Sequence, residues 1–102
     1  MPLAKKFLKT RPVCKVRFAL GGDVVQGVTT VTLVGEFNDW DNTRTPLKQQ
    51  KDGTFVAEVE LAQGQTYRFR YLLDGQHWAN EPEADGYEFC PFAGTDNSLV
   101  TV

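Results

Sequence analysis

Residues 64–75 read GQTYRFRYLLDG, and the alternation within them decides the fold class. Aromatic and aliphatic side chains occupy every second position and would share one face: Tyr67, Phe69, Tyr71 and Leu73. A period of two is that of a β-strand with one buried side. Arg68 and Arg70 fall between these positions, so we expect them on the opposite, solvent-facing side. Asp74-Gly75 closes the segment and is typical of a β-hairpin, because both turn positions favour positive φ.

The same alternation recurs in both directions along the chain. One further strand is predicted to bury Cys14, Val16, Phe18 and Leu20, and another Phe55, Ala57, Val59 and Leu61. Asp52-Gly53 predicts a second hairpin turn, and residues 28–34 and 97–102 predict two more strands. Residues 79–95 contain two prolines and two glycines and are interpreted as one long irregular connection. About seven short antiparallel strands without a credible helix predict an all-β, immunoglobulin-like β-sandwich.

The length of 102 residues accommodates one domain, which we place at residues 12–102 after a basic N-terminal segment at 1–11. Six lysines and arginines precede the first acidic residue, Asp23, although the net charge is −2. This segment is interpreted as a solvated tail, with a docking arm for an anionic partner as the alternative. Charged residues interrupt the start of the chain, so no signal peptide is predicted and the cytoplasm is the expected compartment.

Candidate catalytic groups are sparse. Ser98 is the only serine and lies outside a GxSxG turn. Carboxylates pair as loop neighbours, such as Asp39 with Asp41 or Glu81 with Glu83, and these meet the need of glycoside hydrolysis for two carboxyl groups about 5–10 Å apart across a bound sugar only by chance. We therefore expect no enzyme activity.

Metal ligands are equally sparse. His77 is the only histidine, and Cys14 and Cys90 lie far apart without a CxxC motif. We expect two free thiols and neither a metal nor a cofactor. The net charge gives no general attraction to nucleic acid, and no apolar run approaches the roughly 18 residues of a membrane span. We therefore expect neither nucleic acid nor a membrane as a partner.

Two tryptophans stand in polar surroundings. Trp40 lies within the stretch 38–42, NDWDN, and Trp78 follows the Asp74-Gly75 turn. A tryptophan in a polar turn either packs back onto the sandwich or binds something. Two of them near the outward Arg70 favour a neutral ligand with flat apolar faces and hydroxyl groups, because the surrounding loops are acidic. A sugar fits this description.

Three motifs in order resemble the family-48 carbohydrate-binding module: GEFNDW at 35–40, GQTYRFRYLLDG at 64–75 and DNSLV at 96–100. That family includes the early-set domain at the N-terminus of isoamylases and branching enzymes, and the glycogen-binding domain of the AMP-activated kinase beta subunit. The basic residues 9–16 are similar to the start of small free-standing bacterial proteins made of this domain alone. The resemblance implies an early-set β-sandwich that binds α-1,4-glucan of the glycogen or starch type without cleaving it.

The resemblance also implies carbohydrate-binding residues. Trp40 would stack on one glucose, and Trp78 would provide a second stacking surface, with Gln76-His77 adding one residue relative to the kinase branch. Arg70 and Asn97 would bind hydroxyl groups. Ala93 stands where the kinase branch has an anchoring leucine, so either the neighbouring Phe92 replaces it or the anchoring is weaker.

A second hypothesis remains open beside glucan binding. In enzyme-borne relatives the domain often binds no sugar and serves as a structural neighbour. The chain would then be a protein-interaction or regulatory module associated with a glucan-metabolising enzyme or a regulatory protein, with the tryptophans packed against that partner.

Overall fold

The computed structural model describes residues 3–102, which form nine β-strands in two antiparallel sheets. The strands are β1 Ala4–Phe7, β2 Val13–Leu20, β3 Val31–Gly35, β4 Lys48–Gln49, β5 Phe55–Ala62, β6 Thr66–Leu73, β7 His77–Ala79, β8 Gly86–Cys90 and β9 Thr95–Thr101. The first sheet has the order β1-β2-β5-β4, and the second has the order β3-β6-β9-β8 with β7 beside β6. Helical structure in this range is limited to two 3₁₀ turns, Gly22–Val25 and Glu36–Asn38. The predicted all-β sandwich is confirmed.

The core lies between the two sheets and follows the predicted alternation. All four alternating residues of β2 are buried, as are Phe55 and Leu61 at the two ends of the β5 pattern. In β6, Phe69 and Tyr71 are completely buried, and the Phe69 ring meets Phe18 of the opposite sheet edge-on, with centroids 5.1 Å apart. The buried and exposed faces of β6 are therefore those predicted from the sequence.

The two Asp-Gly turns differ. Asp74 and Gly75 both have positive φ, 52° and 68°, and the Gln76 amide donates to the Leu73 carbonyl at 3.0 Å. This is the predicted hairpin turn with positive φ at both residues, and Gln76 is a third loop residue because Leu73 pairs with His77. At Asp52-Gly53 only the glycine has positive φ, so the prediction that both residues would is wrong there. The Gly53 amide donates to the Gln50 carbonyl and the Gln50 amide to the Thr54 carbonyl, which is a longer turn ending in a glycine bulge.

Strand β1 corrects the interpretation of the basic segment as a solvated tail; the sequence does not predict this strand, because its two lysines hide the period of two. It pairs with β2 through the register Lys5↔Val16, and the preceding Leu3 is buried in the core. The Lys5 ammonium reaches the second sheet, 2.6 Å from the Asp85 carboxylate. The division into a segment at 1–11 and a module at 12–102 stays a prediction, and Met1 and Pro2 lie outside the described residues.

Strand β8 corrects the interpretation of residues 79–95 as one irregular connection. Gly86 begins this strand and Pro91 follows it, so these residues bound a strand instead of marking a continuous loop. The prolines and glycines around it made the segment resemble a loop in the sequence, and its aromatic residues Tyr87 and Phe89 remain exposed. Both cysteines are free, and residues 3–102 contain no helix long and apolar enough to cross a membrane.

Candidate functional site

The solvent-facing side of the second sheet, here called the outer face, brings several predicted site residues together. Arg70 lies on β6 opposite Val34 of β3, and Leu72 lies opposite Trp78 of β7. Directly paired residues project from the same side of a sheet, so these four share the outer face. Val34 is 0% exposed and Leu72 5%, although neither belongs to the core cluster between the sheets. The outer face thus carries an apolar layer of its own.

Trp78 is held on this face by the tight hairpin between β6 and β7. Its side chain is 48% exposed, and the Arg70 guanidinium carbon lies 4.9 Å from the ring centroid. This is a cation–π contact, which orients both side chains. Since the exposure remains with the guanidinium in place, much of the indole is available to a ligand.

Trp40 is presented by a turn that follows β3. The 3₁₀ turn Glu36–Asn38 places Phe37 against the core rings of Phe18 and Phe69, and the next two residues, Asp39 and Trp40, both have left-handed φ of 58° and 57°. A bulky residue in this region is a true outlier, costing on the order of 1–3 kcal/mol. The Trp40 amide donates to the Gly35 carbonyl at 2.9 Å, and the side chain stays 38% exposed.

Asn38 fixes this turn from inside the protein. Its buried side-chain oxygen accepts from the Gly35 amide at 3.0 Å, and its amide group donates to the Leu33 carbonyl at 2.9 Å and to the Thr45 hydroxyl at 3.1 Å. Gly35 cannot carry a side chain, because a Cβ there would lie 2.7 Å from the Arg68 carbonyl oxygen. Sequence reasoning used Asn38 only as part of a motif and missed its role as the buried anchor of the Trp40 turn.

The polar residues around Trp40 are bonded to one another. The Asp41 carboxylate accepts from the Thr43 hydroxyl at 2.6 Å and from the Thr43 amide at 2.9 Å, and Arg44 lies 3.5 Å from Asp39 and 3.7 Å from Asp41. The Thr43 hydrogen bonds, with a smaller contribution from Arg44, lower the pKa of Asp41. Asp41 is therefore ionised at neutral pH and unsuited to donate a proton.

Arg70 and Asn97 occupy adjacent strands of the outer face. Phe69 pairs with Ser98, and Arg70 and Asn97 are the next residues along β6 and β9. The buried Nε of Arg70 and the buried Oδ1 of Asn97 have no hydrogen-bond partner among the described residues. Buried polar atoms normally have partners, so an unsatisfied donor and an unsatisfied acceptor on one face require an explanation.

Phe92 stands apart from this group. It lies at the tip of the β8–β9 hairpin, where the Ala93 and Gly94 amides both donate to the Cys90 carbonyl, and its side chain is fully exposed. A fully exposed ring packs against nothing, so the structure does not seat Phe92 beside the tryptophans. Its part in sugar binding stays a prediction.

The residues of the rejected catalytic interpretations have structural partners. Glu81 is buried, and its carboxylate accepts from the Tyr71 hydroxyl at 3.0 Å and from the Glu83 amide at 2.9 Å. Burial raises the pKa of Glu81 above its ordinary value. The Ser98 hydroxyl donates to the Asn80 side chain and accepts from the Glu81 amide. These groups fasten the chain that follows β7 to the underside of β6 and β9.

A cavity of about 450 Å³ is lined by Arg17, Asp52 and Glu81 among others, and neither tryptophan borders it. No group of three or more histidine, cysteine, aspartate or glutamate side chains in residues 3–102 is arranged to hold a metal ion.

Comparison with known proteins gives one family. The family model described as the glycogen recognition site of AMP-activated protein kinase matches residues 24–99, which include both tryptophan turns, Arg70 and Asn97. No curated protein matches the chain.

Proposed function

Since the chain belongs to the family of the glycogen recognition site of AMP-activated protein kinase, we propose that it binds α-1,4-glucan on the outer face without cleaving it. The tryptophans would stack on the apolar faces of glucose rings. Arg70 and Asn97 would bind the hydroxyl groups at the rims of the same rings. The ligand would be glycogen, starch or a linear oligosaccharide derived from them.

The observation that carries this proposal is the exposed Trp78 indole with the Arg70 guanidinium against its ring, next to an unsatisfied pair of polar atoms. Arg70 Nε can only donate a hydrogen bond and Asn97 Oδ1 can only accept one. A hydroxyl group does both, but neither atom is open to solvent, so sugar hydroxyls would satisfy them only if the Arg70 and Asn97 side chains turn toward the ligand. The adjacent indole already offers an apolar stacking surface. Ligand sites generally combine such an apolar surface with a few placed polar groups.

The backbone of the Trp40 turn supports the same proposal. Two successive left-handed residues are unfavourable, and the turn persists because the buried Asn38 and the glycine at 35 hold it. Strain of this kind is concentrated at binding sites, where it fixes a side chain before the ligand arrives. A stacking residue held in advance loses less conformational freedom when sugar binds.

Binding of modest strength is expected. Two aromatic stacks, each contributing about 0.5–1.5 kcal/mol beyond the area they bury, and a few exposed hydrogen bonds give roughly millimolar to micromolar affinity. The pure protein should be retarded in native gels that contain glycogen or amylopectin, and cellulose should have no effect.

Alanine substitution tests the site. Trp40→Ala with Trp78→Ala should abolish the retardation, whereas Phe7→Ala should leave it unchanged. Phe7 is a matched control, since it is an exposed aromatic residue, 53% accessible, on the edge strand of the other sheet. The proposal would be refuted if glycogen in the gel did not change the mobility of the wild type. It would also be refuted if the double variant were retarded as strongly as the wild type.

A protein-interaction role is the second candidate. Phe7 on β1 and Phe89 on β8 are more than half exposed, and both lie on edge strands. Exposed aromatic residues on edge strands suit a partner such as a glucan-metabolising enzyme or a regulatory protein. Co-purification that Phe89→Ala abolishes, together with no response of tryptophan fluorescence to maltoheptaose, would favour this role over sugar binding.

A further inference from the structure

An ion network crosses the outer face next to the candidate site. Arg68 of β6 lies between two carboxylates: its NH1 is 3.1 Å from Glu36 Oε2, and its NH2 and Nε are each 2.7 Å from Glu88 Oε1. Glu36 belongs to the 3₁₀ turn after β3, and Glu88 to the edge strand β8. The network therefore joins the turn after β3 to two strands that are not neighbours, because β9 lies between β6 and β8.

The contact with Glu36 involves the main chain as well. Strand β3 ends at Gly35, which pairs with Phe69. Arg68, the residue before Phe69, therefore has no partner strand on the β3 side of β6. Glu36 Oε1 accepts the Arg68 amide hydrogen at 2.7 Å and takes the place of the missing strand. One carboxylate thus binds both the backbone and the guanidinium of Arg68.

Both ends of the network lead to segments that carry predicted site residues. Glu36 begins the turn that ends in the left-handed Trp40. Glu88 pairs with Asn97 across β8 and β9, and the same two strands are joined by the hairpin that bears Phe92. A fixed distance from Glu36 to Glu88 is a fixed distance between these two segments.

We propose that Arg68 is a positioning residue for the glucan-binding surface, which holds the Trp40 turn and the β8–β9 hairpin in place before sugar arrives. This rests on the proposed function. Arg68 acts through Glu36 and Glu88 and does not bind the sugar itself. The Glu88 hydrogen bond, assisted by the charges of Glu88 and Glu36, raises the pKa of Arg68, so its guanidinium stays charged.

Salt separates positioning from direct contact. The network is about half exposed, so dissolved ions weaken it, whereas the sugar is neutral and its own contacts are insensitive to salt. Maltoheptaose is titrated at about 0.01 M and about 1 M sodium chloride, where the screening lengths are roughly 30 Å and 3 Å. The wild-type affinity should fall by about two- to fivefold between these conditions, the range expected for exposed ion pairs.

Substitution should reproduce the effect of salt. At low salt Arg68→Met should bind maltoheptaose about as weakly as the wild type at high salt, and added salt should change it no further. Arg68→Lys keeps the positive charge but lacks the several N–H donors of the guanidinium. At low salt its affinity for maltoheptaose should lie between those of the wild type and Arg68→Met. Arg11→Met is the matched control: Arg11 pairs with Glu60 at 3.2 Å on the other sheet, so this variant should keep the wild-type affinity and salt dependence.

A measurement without sugar completes the test. In a Trp78→Phe background, Trp40 is the only tryptophan, and Arg68→Met should increase its mobility in time-resolved fluorescence anisotropy. The positioning role would be overturned if the sugar affinity of the wild type were the same at both salt concentrations. It would also be overturned if Arg68→Met left the mobility of Trp40 unchanged. If no glucan binds at all, the proposed function fails, and the anisotropy alone then shows whether Arg68 orders the turn.

Discussion

Trp40 and Trp78 are exposed to solvent by different local structures. Trp78 lies in a regular strand after a three-residue hairpin loop, 74–76, in which aspartate and glycine supply the positive φ values. Trp40 lies in an irregular turn whose left-handed backbone is held by a buried asparagine, a glycine and the Glu36–Arg68 contact. The comparison teaches that a regular element presents a side chain by its period alone, whereas an irregular one depends on particular distant residues.

Phe69→Ala should have the largest effect and should not distinguish the two tryptophans. Phe69 is completely buried under β6, the strand that borders both turns, and its ring contacts Phe18, Phe37 and Tyr71. Loss of this ring should lower the free energy of unfolding by about 4 kcal/mol, measured by urea denaturation. A loss below about 1 kcal/mol would contradict the assignment of the buried face.

Gly35→Ala and Gly75→Ala should separate the two turns. A Cβ at Gly35 would lie 2.7 Å from a backbone oxygen, so the Trp40 turn must move and the free energy of unfolding should fall by about 3 kcal/mol. At Gly75 nothing lies within 4 Å, and only the positive φ opposes alanine, at a cost of about 1 kcal/mol. Equal costs would show that the Trp40 turn is no more constrained than the hairpin.

Asn38→Ala should affect Trp40 more than Trp78. The substitution removes three hydrogen bonds and leaves the Gly35 amide and the Leu33 carbonyl without these partners, at a cost of about 2 kcal/mol. In single-tryptophan variants, acrylamide quenching should increase for Trp40 and stay the same for Trp78. Equal changes at both tryptophans would show that Asn38 supports the whole fold and not this turn.

The pH dependence of stability should be the smallest effect, and it arises from Glu81, close in sequence to Trp78. Glu81 follows β7, and burial raises its pKa above the ordinary 4.5, so the folded state keeps this proton to higher pH than the unfolded chain. The stabilisation is complete below pH 4.5 and is lost as the pH rises through the folded value.

Thermal unfolding between pH 4.5 and neutrality measures this contribution. Asp41 and Asp52 do not interfere, because their pKa values lie below 3.8 and their stabilisation is lost only at lower pH. Glu81→Gln should remove the fall of the unfolding temperature with pH above pH 4.5. If the fall remains in this variant, another group causes it.

The regular parts of the molecule could be predicted from the sequence, and the irregular parts could not. Alternation gave the faces of β6, and with them the outward Arg68 and Arg70, because a strand obeys a period of two regardless of its surroundings. Strand β1 could not be predicted, because its lysines are positioned by Asp85 and by solvent, and the local sequence pattern contains neither. Tertiary contacts also set the φ of Trp40 and the position of Glu36 against Arg68, 32 residues away.

Fluorescence titration of two single-tryptophan variants, Trp40→Phe and Trp78→Phe, with maltoheptaose is the most direct test of the glucan-binding surface. If both indoles take part in one site, the tryptophan left in each variant should respond to the sugar, and each titration should saturate. Saturating signals from both would agree with this account. A response from only one tryptophan, or from neither, while the protein remains folded would contradict it.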